Sequence, residues 1–508
     1  MSNSLFVLKY AYKENFLAIN TVIFSKSMTF EIMKTFLTIC LSLYAFSAYP
    51  QKNNKQTEGI IASLEAKSDY YSNIAQQIWA NPELGYMEES SSALLQDELK
   101  AAGFNIEAGV AGMPTAFVAT YGSGKPVIGV LGEYDALPGM SQKAVPEKAP
   151  ATDGAPGHAC GHHLFGTGSM AAAIAVKDWM TSNNISGTIK YFGTPAEEGG
   201  SGKVYMVREG LFKDVDAVVT WHAGDQNSAD AATNLATKTG KFRFYGVSAH
   251  AAGAPEKGRS ALDGIEAMTH MVNMMREHTT EGTRIHYVIT RGGDAPNIVP
   301  SFAEVYMYVR HKDREEVRSM WERIVKTAEG AAIGTETRME YEVTGGTYDR
   351  LPNETLAKQM HANLSYVGGF EYTEEEMKFA ERIQKTLVGS DKHLGSVNLV
   401  QPYKLVDGKA SADTGDVSWN VPTVSMRAAT WVPGTPAHSW QAVACGGTSI
   451  GNKGMMVAAK TMTLTAINLF RTPKLIEDAW NELRTKQGPD FKYEPLLGDR
   501  APALDYRK

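Results

Sequence analysis

Three histidines and a cysteine fall within six positions of one stretch, "GHACGHHLFG" at 157–166, in a chain with only twelve histidines and three cysteines. Further along come a Glu-Glu pair, Glu197 and Glu198 in "GTPAEEGG", then His222 in "WHAG" and His438 in "PAHS". Thiolate, imidazole and carboxylate are the donors that a borderline-soft divalent cation accepts. Cys160, His162, Glu198, His222 and His438 are more than one tetrahedral ion needs, so a close pair of cations is expected of them. Adjacent carboxylates repel unless a cation offsets them or one keeps a proton. With Glu198 on a metal, Glu197 is free to take a proton from metal-bound water and pass it to a leaving amine. Cys160 also admits two other readings, an inert buried thiol and a thiol nucleophile. His158 and His163 read as packing groups, or as groups behind the ligands. Each of these residues is unremarkable alone; their joint placement carries the argument.

That placement depends on the strands in front of them. "KPVIGVLGEYDALPG" reads as a strand over 127–131 followed by a loop with Glu133 and Asp135. "GTIKYFGTPAEEGG" reads as a strand over 188–192 before Glu197 and Glu198, and "VDAVVTWHAG" as one over 217–220 before His222. "VPTVSMRAATW" reads as a strand over 423–427 before a loop that reaches His438. Helical stretches lie between them. One face of "EESSSALLQDELKAAGF" carries Leu94, Leu95 and Leu99, and others run over 166–182 and 454–470. Alternating strands and helices predict an α/β sheet covered on both faces, with ligands beyond the carboxyl ends of the strands.

From Lys238 to Tyr348 the order changes to β-α-β-β-α-β, the ferredoxin-like split βαβ pattern of a smaller inserted domain. The expected organisation is a catalytic domain in two parts, 57–237 and 349–472, around an insertion at 238–348. A C-terminal extension, 473–508, follows with one helix over 474–486. At the other end, "MKTFLTICLSLYAFSAYPQ" has the layout of a secretory signal peptide over 33–47, too short to span a membrane. Residues 1–32 lack that layout and are not expected in the mature protein, which is expected to be exported to the periplasm or outside the cell. With 508 residues, 43% hydrophobic and a net charge of −6 without a basic run, the chain is globular and not a nucleic-acid binder. Removal of the signal leaves Cys160 and Cys445, which make no disulfide framework.

The ordered series "GHACGHHLFG", "GTPAEEGGSGK", "WHAG", "SAHAAGAPEKGRSALDG", "GGDAPNIVPSFAEVYMYVR" and "PAHS" resembles the M20 family of metallopeptidases and amidohydrolases. It is most similar to the branch that cleaves acyl amino acids such as p-aminobenzoyl-glutamate. The resemblance implies a zinc-peptidase-like catalytic domain with a mixed sheet, and an inserted dimerisation or lid domain. It also implies two divalent ions, zinc or manganese, on Cys160, His162, Glu198, His222 and His438, with attack by a bridging water and Glu197 as base. Asp135 resembles the acid that orients a metal ligand. His250 resembles the histidine that reaches a neighbouring subunit's site to stabilise the oxyanion. Asn297 and Arg310 resemble the pair that holds the substrate's carboxylate or backbone. A homodimer acting on a small acyl amino acid is therefore expected, with a β-alanyl-type dipeptidase and an inactive ligand-binding homologue as the other readings. Two departures stand out. Glu133 replaces a histidine common in relatives, so His162 is expected to supply that imidazole. His163 stands where Asp or Asn often follows "CGH", and its role behind the metal is left open.

Overall fold

The computed structural model describes residues 54–507, so the expected signal peptide at 33–47 and the stretch before it lie outside the described residues. From Gly59 onward the described residues form one compact unit, which holds every described strand. Among the described residues no helix is long and apolar enough to cross a membrane. In chain order the strands are β1 (Asn105–Ala108), β2 (Phe117–Ser123), β3 (Val127–Gly132), β4 (Gly187–Gly193), β5 (Ala217–Gly224), β6 (Ser228–Ala232), β7 (Ala236–Tyr245), β8 (Arg284–Arg291), β9 (Phe302–His311), β10 (Arg338–Thr347), β11 (Leu405–Val406) and β12 (Thr423–Ala429).

The larger sheet has the order β1-β2-β4-β3-β5-β12-β6-β11. Its centre, β4-β3-β5-β12, is wholly parallel, whereas β1, β2 and β6 pair antiparallel, which makes the sheet mixed. Both faces are covered, as the continuous apolar runs require. Along β3, Ile128 and Val130 pack toward the helices His162–Asn183 and Ser449–Arg471, while Val127 and Leu131 pack toward the opposite face with Val204 and Phe212. The four parallel strands are those that the sequence places in front of donor residues, so their carboxyl ends converge on one edge. β5 runs on to Gly224 because Arg427 pairs with His222, so His222 sits inside the strand rather than in the loop after it.

The second sheet, β10-β7-β9-β8, is antiparallel throughout. Helices Ala261–Met275 and Arg314–Gly334 pack on one face over Phe242, Phe244, Val305 and Met307. This is the ferredoxin-like order. The alternation along β9 sends Val305, Met307 and Val309 into that core and leaves Tyr306, Tyr308 and Arg310 on the other side. Trp419 and Leu496, from outside the insertion, close the same core beside Tyr348.

Candidate metal centre and active site

His162 opens a helix four residues earlier than its apolar pattern announces. The helix runs His162–Asn183, and Gly161 caps it in the left-handed region at φ 80°. That conformation suits glycine, and a Cβ there would come within 2.6 Å of Ala223. The turn puts Cys160 and His162 on the same side, facing His222 from β5. Cys160 Sγ lies 3.5 Å from His222 Nε2, and the ligand atoms of Cys160, His162 and His222 all lie within 4.8 Å of one another. Cys160, Glu198 and His438 form a second such group, so the thiol belongs to both, and Glu133, His162 and Glu197 form a third without it.

The hydrogen bonds leave the right atoms free. His222 Nδ1 donates to Ala223 O at 2.8 Å, which frees Nε2. His162 Nδ1 donates to Asp135 Oδ1 at 2.8 Å, and Glu198 N donates to Asp135 Oδ2 at 2.9 Å, so one buried carboxylate orients two donor residues. His162 Nε2 and Glu198 Oε1 are buried, and the side chains nearest to them are themselves titratable. Glu198 Oε1 lies 3.1 Å from His438 Nε2. Burial opposes ionisation of Cys160, yet His162 and His222 hold its thiol well below the usual range. A thiolate, three imidazoles and a carboxylate whose ligand atoms lie this close together fit divalent cations.

Glu197 lines the same cavity, of about 660 Å³, together with Cys160, Glu198, His222, His438 and Arg310. Burial and the charges of Glu133, Glu198 and Asp413 push its carboxyl well above the ordinary value, with His162 offsetting part of this. Three non-glycine residues around the donors have left-handed backbone, Ala196 (φ 56°), Ser201 (φ 62°) and His438 (φ 59°). Such strain costs about 1–3 kcal/mol per residue and gathers where side-chain aim matters.

His163 and His158 turn to one another, with ring centroids 4.9 Å apart. His163 Nε2 bonds to Gly446 O at 3.1 Å and His158 Nε2 to Ile78 O at 3.2 Å, so their hydrogen bonds run to backbone rather than to a donor residue. Burial lowers both, His158 to about 3 and His163 well below 6.5. The insertion divides the remaining expected residues. Arg310 lines the cavity, whereas His250 and Asn297 are exposed and meet each other near the start of β9, with Ala251 N bonding to Asn297 O. From Phe302 to Arg310 the strand covers roughly 26 Å, so Asn297 and Arg310 stand at opposite ends of it.

Sequence reasoning missed a buried ion network. Lys203 is fully buried and pairs with Glu133 Oε1 at 2.6 Å and Asp413 Oδ1 at 2.8 Å, while Glu133 Oε2 lies 3.0 Å from His162 Nε2. Glu133 therefore links His162 to an internal cation. The segment after Gln487 was missed as well. Tyr506 Oη and Arg507 Nη2 both donate to Glu198 O, at 3.0 and 2.6 Å. Partners some 70 to 309 positions apart leave no local signal.

A two-lobed α/β molecule with this donor set is a metallohydrolase in fold and site. Residues 235–335 match the family model described as a peptidase dimerisation domain. One of the subunits of p-aminobenzoyl-glutamate hydrolase from Escherichia coli (strain K12) is 42% identical over 83% of this chain and 93% of its own length. Xaa-Arg dipeptidase of Mus musculus is 28% identical over 84% of this chain and 91% of its own. Among solved structures, a dinuclear metal-binding peptidase of the M20 family from Bacillus subtilis shares the fold with a TM-score of 0.53 and 17% identity, covering 80% of this chain and 99% of that one. The chain belongs to the M20 family and is a metallo-amidohydrolase.

Proposed function

We propose that the protein hydrolyses the amide bond of a small N-acyl amino acid of the p-aminobenzoyl-glutamate kind. The observation that carries this reading is the pair of donor groups that share Cys160 beside Glu197. Cys160, His162 and His222 would hold one divalent cation, and Cys160, Glu198 and His438 the other. The thiolate and imidazoles favour zinc. When bound, such ions polarise the amide carbonyl and make water acidic enough to attack it.

The chain's own groups do the rest. Glu197 accepts the proton of the attacking water at its carboxylate and returns it to the leaving nitrogen. Arg310 grips the carboxylate of the amino acid. His250 Nδ1 accepts from the N–H groups of Ala252 and Gly253, at 3.2 and 3.0 Å, so Nε2 carries the proton and can donate to a developing oxyanion. His250 stands far from its own chain's Arg310, and a homodimer in which the insertion brings it to the partner's cavity completes the site. Arg310 and Arg507 line that cavity without an ion pair among the described residues, which favours an anionic amino acid over the arginine of the Xaa-Arg dipeptidase. The signal-like stretch at 33–47 supports an exported enzyme.

Metal analysis of protein purified without added metal, paired with hydrolysis of p-aminobenzoyl-glutamate, tests the proposal. About two ions per chain are expected, with turnover reduced roughly 10²–10⁴-fold in Glu197→Gln at unchanged metal content. Metal-free protein, or full activity in Glu197→Gln, overturns it. Insensitivity to chelators with inactivation by thiol alkylation would move the chemistry to Cys160 as a nucleophile.

A further inference from the structure

The segment after the last helix crosses both lobes before it reaches the cavity. It leaves Pro473–Gln487 at Gly488, buries Leu496 in the core of the insertion and buries Leu497 against the larger sheet beside Val204. Arg208 Nη1 donates to Gly498 O and Arg500 O at 3.1 and 2.8 Å. Tyr506 then packs edge-on to Tyr86, with centroids 5.6 Å apart. The body of the protein is shaped for it: a Cβ on Gly85 would lie 2.3 Å from Tyr506 Oη. Arg507 comes next and lines the cavity with Arg310 and Tyr308.

Arg507 donates one N–H to Glu198 O, and Arg310 Nη1 bonds Ser411 Oγ at 3.3 Å. A guanidinium has five N–H donors, so each keeps most of its capacity. Among the described residues, neither has a carboxylate within ion-pair distance, and both are partly buried. Arg310 stacks on the Tyr308 ring at 5.3 Å, and Tyr308, Arg310 and Arg507 line the same cavity. Two half-buried cations without counter-ions among the described residues, lining one cavity, suit an anion with two charges.

We propose that Arg507 binds the side-chain carboxylate of a dicarboxylic amino acid while Arg310 holds its α-carboxylate, so that the tail sets specificity for N-acyl acidic amino acids. This rests on the amidohydrolase reading above and adds to it which group reads the side chain.

The test compares an N-acyl-glutamate with the matching N-acyl-glutamine as substrates of the full-length dimer. The readout is the ratio of their kcat/KM values. Wild type is expected to favour the glutamate compound, and Arg507→Ala to lower that ratio roughly ten- to hundredfold, carried by KM. Arg507→Lys should recover part of it. Tyr506→Phe removes the neighbouring bond to Glu198 O but keeps the guanidinium, so it should leave the ratio unchanged whatever it does to the absolute rates. If Arg507→Ala slows both substrates equally, the tail merely supports the Glu198 loop and the proposal falls. Calorimetric binding of the same pair to Glu197→Gln and to Glu197→Gln/Arg507→Ala gives the preference without turnover. A protein that binds the acyl-glutamate selectively through Arg507 yet never cleaves it would sink the amidohydrolase reading alone.

Discussion

Cys160 is the residue on which the two donor groups depend together, since it alone belongs to both. Replacing an end ligand should therefore differ in kind from replacing Cys160. His438→Ala removes a donor from one group only, and retention of about one ion per chain is expected. Cys160→Ser exchanges a soft thiolate for a hydroxyl in both groups, and well under one ion per chain is expected. Metal content per chain after dialysis separates the two outcomes; equal losses would mean that the thiol does not bridge the groups. The donors stand out in the sequence because cysteine and histidine are rare here, and because Glu198 and His222 lie at the ends of recognisable strands, whereas Cys160 and His162 open a helix. Lys203 does not. Its neighbours in "GGSGK" suggest a loop lysine, and only the fold brings Glu133 and Asp413 to it from 70 and 210 positions away. A buried charge is decided by distant partners, and no local pattern encodes them.

The elements were legible wherever periodicity was strong and blurred where caps were unusual. The βαββαβ order of the insertion and the four parallel strands follow from apolar runs between polar loops. The start of His162–Asn183 does not, because a left-handed glycine caps it with no side-chain hydrogen bond. Loops are tied to elements by groups of the same hidden kind. Glu88, just before the helix Glu89–Ala101, is fully buried and accepts from Ala196 N at 2.8 Å and from Thr115 Oγ1 at 2.9 Å, holding the turn that carries Glu197. Burial, with Asp135 adding to it, pushes its carboxyl up to about 8 from 4.5. A carboxyl raised in the folded state contributes stability below its unfolded pKa and loses it as pH rises through the folded one. Wild type should therefore lose stability between about pH 4.5 and 8, at about 1.4 kcal/mol per unit as an upper bound. Glu88→Gln keeps the shape and cannot ionise. Its melting temperature should match wild type near pH 5 and exceed it by a widening margin toward pH 8. A constant offset across that range would contradict the assignment.

At the scale of the whole molecule, β9 works as a spacer. Arg310 at its end lines the cavity of its own chain, while His250 and Asn297 lie together near its start, at the far side of the insertion. Exposed apolar side chains cluster on the same lobe, with Val247, Met274, Val288 and Ile298 all about half exposed. A surface of that kind on a domain matched as a peptidase dimerisation domain calls for a partner. In the homodimer proposed above, each cavity takes its base from one chain and its His250 from the other. That division is testable without a structure of the dimer. His250→Ala and Glu197→Gln homodimers should each be nearly inactive, for different reasons. Unfolded together in equal amounts and refolded, half of the dimers should be mixed. Each mixed dimer then has one cavity with both defects and one with neither, so the preparation should recover about a quarter of wild-type specific activity. If His250 served its own chain's cavity, every cavity in the mixture would carry one defect, and no activity would return.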